Sequence, residues 1–324
     1  MLQSQKQNVT VDPSSQAKVR GPHLSAASRM RFRLSKGVPY LYVAPFFLVF
    51  FTFFAYPLAY SFYVSLHRWD GIGPMRPVGW DNYTFALGND FFWNSIRTTG
   101  LLWLMALPVG MAISMVVAVV WNSGSFRGRN IAIVMYLMPA VISIVAVSVV
   151  FRILYDQSAG PIDAVITTFG FAPVPWLSDE MWARVALAIV RLWESIGLGA
   201  LFYFASLQGI SRVIYDASSV DGCSPVRQFW SITVPLLART TLFLAVINTL
   251  QVFSMFAEPQ LVMNSGGPNN STTTVGFYLF TLVQNLDLGT ASAVSFLMTV
   301  GMMLVSIALF LAARRWTEVG GDSA

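Results

Sequence analysis

The chain has 324 residues, 55% of them hydrophobic and only 11% charged, with a formal net charge of +5, and its mean hydropathy is +0.61. Soluble domains carry about 25% charged residues, so this composition excludes an ordinary soluble enzyme and points to lipid. One cysteine, Cys223, excludes an internal disulfide, and two distant histidines, His23 and His67, give no metal-site spacing.

Residues 1–37 are polar and Ser-rich, with seven Lys/Arg and one acid. They read as a disordered basic tail. The apolar run that follows begins near residue 38 and is too long for the core of a cleaved signal peptide. Six apolar segments then succeed one another at 40–66, 98–121, 131–154, 185–206, 241–263 and 288–313. Each meets the ~20 residues a helix needs to cross a bilayer. Lipid admits only helices or closed barrels, and runs this continuous are not the alternating strands of a barrel. The predicted fold is therefore an all-α membrane protein with six transmembrane helices over 38–313 and a C-terminal tail at 314–324.

Loop charge sets the orientation. With the N-terminus inside, the cytoplasmic segments hold fourteen Lys/Arg and the opposite segments four: Arg68, Arg76, Arg97 and Arg184. Both termini are then cytoplasmic, and so is the polar segment at 211–235. The basic balance is a topology signal and needs no nucleic acid to explain it.

Charge inside a span is costly and marks a functional candidate. Arg191 and Glu194 lie three apart on one helix face, placed either to form a structural ion pair or to line a pathway. Arg152, near the end of its span, is expected to snorkel. In the fifth span Asn248, Gln251, Ser254 and Glu258 fall within about 120° of one another at 100° per residue. Such a stripe faces the bundle interior, either for interhelical hydrogen bonding or to read the hydroxyls of a polar solute. Trp193, Phe253, Phe256 and Tyr278 are candidate apolar faces for a solute ring.

The segment 211–235 is well punctuated. Ser211 can cap a helix from Arg212 toward Ser219, and Gly222 suits the left-handed position that ends one. Ser224 offers a second N-cap with Pro225 at the first helical position, and the second helix runs to about Ile232. The expected shape is a helix–turn–helix with Gly222 as pivot. Ala217 and Ser218 are small enough for close approach of a partner, and Asp216 and Asp221 can pair with its arginines.

This segment resembles the EAA loop of ABC-importer permeases: three residues (Asp216, Ala217, Ser218), three more, then Gly222, nine more, then Ile232, Val234 and Pro235. Other pieces resemble the carbohydrate-uptake branch, of the maltose and glycerol-3-phosphate permease kind. These are Pro39-Tyr40-Leu41, Val78-Gly79-Trp80-Asp81-Asn82-Tyr83, Ala205-Ser206-Leu207-Gln208-Gly209, Ser265-Gly266-Gly267-Pro268 with Thr272–Thr274, and Gly289-Thr290-Ala291-Ser292-Ala293. The first external loop, about 30 residues, lacks the large insert of the bigger maltose permease subunit.

The resemblance implies a type I ABC importer permease (MetI-like) bundle in the cytoplasmic membrane. It implies ATPase coupling through Asp216, Ala217, Ser218, Asp221, Gly222, Ile232 and Pro235, and a substrate pathway through Glu194, Asn248, Gln251, Ser254, Phe256 and Glu258. The implied partners are a second permease, either an identical copy or, as is common in the sugar branch, a paralogue, together with an ABC ATPase dimer and an extracytoplasmic substrate-binding protein. The sequence has no phosphate-binding loop, since its lysines are Lys6, Lys18 and Lys36 alone. ATP and magnesium therefore belong to the partner ATPase, and this chain is a transport subunit with no cofactor of its own. Three rivals remain: an ion-coupled secondary transporter, an intramembrane enzyme using Glu194, Glu258 or His67, and a structural subunit. Disaccharides, oligosaccharides, glycerophosphate-type solutes and polyols all fit as cargo.

Overall fold

A computed structural model describes residues 40–123 and 128–317. The tail expected at 1–37 and the last residues, 318–324, lie outside them. The chain divides into two units, residues 1–60 and 61–324.

The first span, α1 (Tyr40–Ser65), begins in the first unit and ends in the second. It contains a π turn at Phe51–Ala55, where the Tyr56 amide bonds the Phe51 carbonyl. The cause is Pro57, which has no N–H to offer and whose ring crowds the carbonyl four residues back.

The second unit continues with a hairpin, β1 (His67–Arg68) against β2 (Arg76–Pro77), with His67 opposite Pro77. Asp70 closes the turn by accepting the amides of Ile72 (3.0 Å) and Gly73 (2.8 Å). Those two bonds hold its carboxyl below the usual range. Buried Asn82, on α2 (Asp81–Leu87), donates to the carbonyls of Ser65 (2.8 Å) and His67 (2.9 Å) and pins the hairpin.

Two long spans form the frame. α3 (Asp90–Asn122) starts at an Asn89 cap and runs on through Pro108. α7 (Glu180–Gln208) starts at Asp179, whose carboxylate accepts the amides of Met181 and Trp182. They pack along each other through small residues. A Cβ on Gly199 would sit 2.7 Å from the Ser114 hydroxyl, which donates to the Ile196 carbonyl at 3.1 Å. Small residues let membrane helices approach this closely, so that dispersion replaces the missing hydrophobic drive.

The third predicted span is not one rod. It is α4 (Arg129–Val141) and α5 (Ile144–Leu154), bent by 98°. Pro139 sits in the last turn of α4 and leaves a carbonyl without its amide partner. The backbone at Ile142 is extended, with ψ 143°. The fifth predicted span, 241–263, falls on Ala238–Leu261 and is interrupted as well. α10 (Ala238–Phe253) stops, and α11 (Ala257–Leu261) restarts after Phe256, whose φ is −138°. Pro259 explains the stop, because a continuous helix would drive its ring into the carbonyl of Met255.

Between these lie α6 (Pro161–Thr168) and the two helices of the 211–235 loop, α8 (Arg212–Val220) and α9 (Pro225–Gln228). The described residues end on α12 (Val275–Gln284) and α13 (Leu288–Thr317). Among the described residues, five helices are long and apolar enough to cross a membrane, six with the bent pair counted as one span. The helix that begins at Leu288 runs past residue 313 to Thr317, into the expected tail. Three buried clusters hold the second unit together, around Trp176 and Leu187, around Trp121 and Tyr203, and around Phe92 and Tyr278.

Candidate functional site: a cavity at two broken spans

Both breaks open onto the same space. A cavity of about 700 Å3 is lined by Pro139, Ala140 and Ile142 from the α4–α5 break and by Ser254, Phe256 and Glu258 from the α10–α11 break. Its size lies within the ~300–1,000 Å3 of small-molecule sites.

The sequence-predicted pathway residues Glu194, Asn248, Gln251, Ser254, Phe256 and Glu258 all line this cavity. They do so for a reason the helical projection does not contain. Asn248 and Gln251 share a face of α10, but Ser254 is its C-cap and Glu258 belongs to the next helix. The break turns the last three inward; a regular stripe does not continue that far. Among the aromatic candidates only Phe256 is on the wall, its ring tilted against Phe280 with centroids 5.0 Å apart. Phe253 and Tyr278 are buried in packing, and Trp193 lies edge-on to Phe151 at 5.4 Å. The other wall aromatics are Phe202 and Phe243, 5.4 Å apart. They flank the polar faces of α7 and α10, a position that sequence spacing alone does not reveal.

Arg191 is the hub of the polar wall. One terminal nitrogen donates to Glu194 Oε2 at 3.2 Å, and the other donates to Gln251 Oε1. The guanidinium thus bridges α7 to α10. Glu258 is 6% exposed.

The α10–α11 break is held from behind. The carbonyl of Met255, stranded by Pro259, accepts the Thr274 hydroxyl. The same hydroxyl caps α12 by accepting the Phe277 amide at 3.1 Å. Gly276 makes room, since a Cβ there would meet the Met255 carbonyl oxygen at 2.8 Å. Thr274 closes a loop, 264–274, in which Asn264, Ser265, Gly266, Gly267, Asn269 and Asn270 all have positive φ. Arg184 donates to its Ser271 carbonyl at 3.0 Å, and Asn269 donates to Glu180 at 2.9 Å.

The 211–235 loop takes the expected helix–turn–helix form. Ser211 and Ser224 accept the amides of Val213 and Arg227, each at 3.4 Å. Gly222 has φ +77°, and its amide bonds Ser219 (3.1 Å) while the Cys223 amide bonds Ser218 (2.9 Å). That pair of bonds is the Schellman closure. A residue absent from the sequence reading locks the two helices. Gln228 Nε2 donates to Ser218 Oγ (2.9 Å), Ser219 Oγ (2.8 Å) and the Tyr215 carbonyl (3.2 Å). Tyr215 also meets Thr233 at 3.0 Å. Ser218 therefore faces inward, whereas Asp216, Ala217, Asp221, Gly222 and Pro235 are exposed and Ile232 is half-buried. Two residues before Pro235 a second π turn, Phe229–Thr233, repeats the geometry of α1.

Comparison with known proteins decides the family. Residues 122–318 match the family described as binding-protein-dependent transport system inner membrane component. The chain belongs to this family. The matched stretch holds both the cavity and the helix–turn–helix of this multi-pass permease. The permease is 29% identical to the lactose transport system permease protein of Rhizobium radiobacter, over 85% of this chain and 93% of that one. It is 28% identical to the arabinooligosaccharides transport system permease protein of Bacillus subtilis, over 85% and 88%. Its fold matches a chain in the crystal structure of a bacterial alginate ABC transporter in complex with alginate pentasaccharide-bound periplasmic protein. The TM-score there is 0.75 at 20% identity, covering 89% of this chain and 98% of that one.

Proposed function

We propose that this permease is one of two membrane subunits of an ATP-driven carbohydrate importer, lining half of an alternating-access pathway. The observation that carries the reading is the cavity between the broken spans. Amide, hydroxyl and carboxylate groups from α7, α10 and α11 converge there beside Phe202, Phe243 and Phe256, the mixture that suits sugar hydroxyls and ring faces. The lactose and arabinooligosaccharide systems of its relatives support the same class.

Its partners are a second permease, a paralogue of this chain, an ABC ATPase dimer that holds ATP and magnesium, and an extracytoplasmic substrate-binding protein. This chain needs no cofactor of its own. The 211–235 loop faces the cytoplasm and docks on the ATPase through its exposed residues, among them Asp216, Asp221, Val213, Val220 and Val226. Nucleotide-driven closure moves this loop, and the work enters as differential binding between two states of the assembly.

The test is uptake by proteoliposomes holding both permeases, the ATPase and the loaded binding protein. Labelled sugar should accumulate with internal ATP and be indifferent to an uncoupler. Uptake that follows an imposed proton or sodium gradient without ATP would instead establish an ion-coupled transporter. Gly222→Pro forces φ to about −65° at a position that sits at +77°. It should leave ATP hydrolysis measurable but abolish uptake; unchanged uptake would remove the loop from the drive.

A further inference from the structure

The cavity's charges select among carbohydrates. Among the described residues that line it, the ionisable ones are Arg191, Glu194 and Glu258. One cation faces two carboxylates, and with either carboxylate ionised the sum is not positive. The cation is also already engaged. Both terminal nitrogens of Arg191 are engaged, with Glu194 and Gln251, and Nε is buried without a partner. Bidentate recognition of a carboxylate or phosphate needs two adjacent guanidinium N–H groups presented together. Each edge of Arg191 includes a terminal nitrogen already bonded to Glu194 or Gln251. The remaining polar wall, Asn248, Gln251 and Ser254, reads neutral hydroxyls as donors and acceptors.

Resting on the reading of this cavity as the carbohydrate site, we propose that it takes uncharged sugars and rejects acidic ones. Glu258 excludes the anion, and Glu194 takes up the arginine that would otherwise attract it. An acidic sugar here leaves water to meet a carboxylate in a low-dielectric space, where like charges repel far more strongly than in solvent. A neutral sugar meets no such cost, and its hydroxyls bond to Gln251 and to either carboxylate.

The test is equilibrium binding to the purified complete assembly with the binding protein omitted, so that the binding protein's own selectivity does not enter. The probes are tritiated lactose, arabinotriose and maltotriose, each against the acid made from it by oxidising one terminal CH2OH to a carboxylate. Each acid should bind at least tenfold more weakly than its parent, about 1.4 kcal/mol. Glu258→Gln keeps the shape and removes the charge, and should raise the acid-to-neutral ratio about tenfold. Glu194→Gln should move the ratio the same way, because it releases Arg191, whereas Arg191→Gln should lower it. The ratio is the readout because poor folding lowers both affinities together. Acids that bind as well as their parents, or a ratio unmoved by both glutamate substitutions, would overturn the charge selection. If none of the six probes binds, the carbohydrate reading itself fails.

Discussion

Thr274 shows how much one hydroxyl can hold. It donates to the Met255 carbonyl and accepts the Phe277 amide, so it closes the α10–α11 break and starts α12 at once. Removing one side of a buried hydrogen bond strands the other side at full desolvation cost. Thr274→Val keeps the volume and removes both bonds. It should destabilise the purified permease by ~1–3 kcal/mol, read as a lowered melting temperature in detergent. Thr274→Ser should restore most of that loss. A valine variant that melts with the parent would mean the break is held by packing alone. Gln228 is the counterpart in the 211–235 loop. Its one amide group reaches three acceptors on α8, and no motif position marks it.

At the scale of elements, glycine spacing decides how close α4 lies to α7. A Cβ on Gly197 would come 1.6 Å from the Tyr136 carbonyl oxygen, whereas a Cβ on Gly100 of α3 would meet nothing within 4 Å. Gly197→Ala must therefore push α4 and its cavity-lining end away. It should cost several times the ordinary ~1–3 kcal/mol of overpacking, measured as loss of folded protein on size exclusion. Gly100→Ala should be neutral or stabilise slightly through helix propensity. The elements themselves were legible, because a run of ~20 apolar residues has few alternatives in lipid. The breaks were not legible. Pro108, Pro139 and Pro259 all sit in apolar runs, yet α3 continues through Pro108 while the other two lie at breaks. What separates them is tertiary: a stranded carbonyl needs a new donor, and for Met255 that donor is nineteen residues away in Thr274. The cavity was half legible for the same reason. Polar residues in a span announce an interior face, but their meeting with Pro139 and Phe202 depends on two bends that no periodicity encodes.

For the whole molecule, orientation is the property that joins cargo to drive. The lysine and arginine count is the ground for proposing that the 211–235 loop faces the cytoplasm, and the chain's one cysteine lies in it. Cys223 is half-buried rather than sealed. A membrane-impermeant maleimide should therefore label inside-out vesicles and leave right-side-out vesicles unlabelled until they are permeabilised. Bound ATPase should slow the labelling. Reaction in intact right-side-out vesicles would reverse the topology and with it the assignment of the loop. The internal bonding of that loop has a practical corollary. Its caps, its glycine closure and its glutamine lock all lie between Ser211 and Thr233, so its shape is specified by its own residues. It should behave as a transplantable cassette. Exchanged as one block between related permeases, it should carry the choice of motor with it and leave the choice of cargo behind.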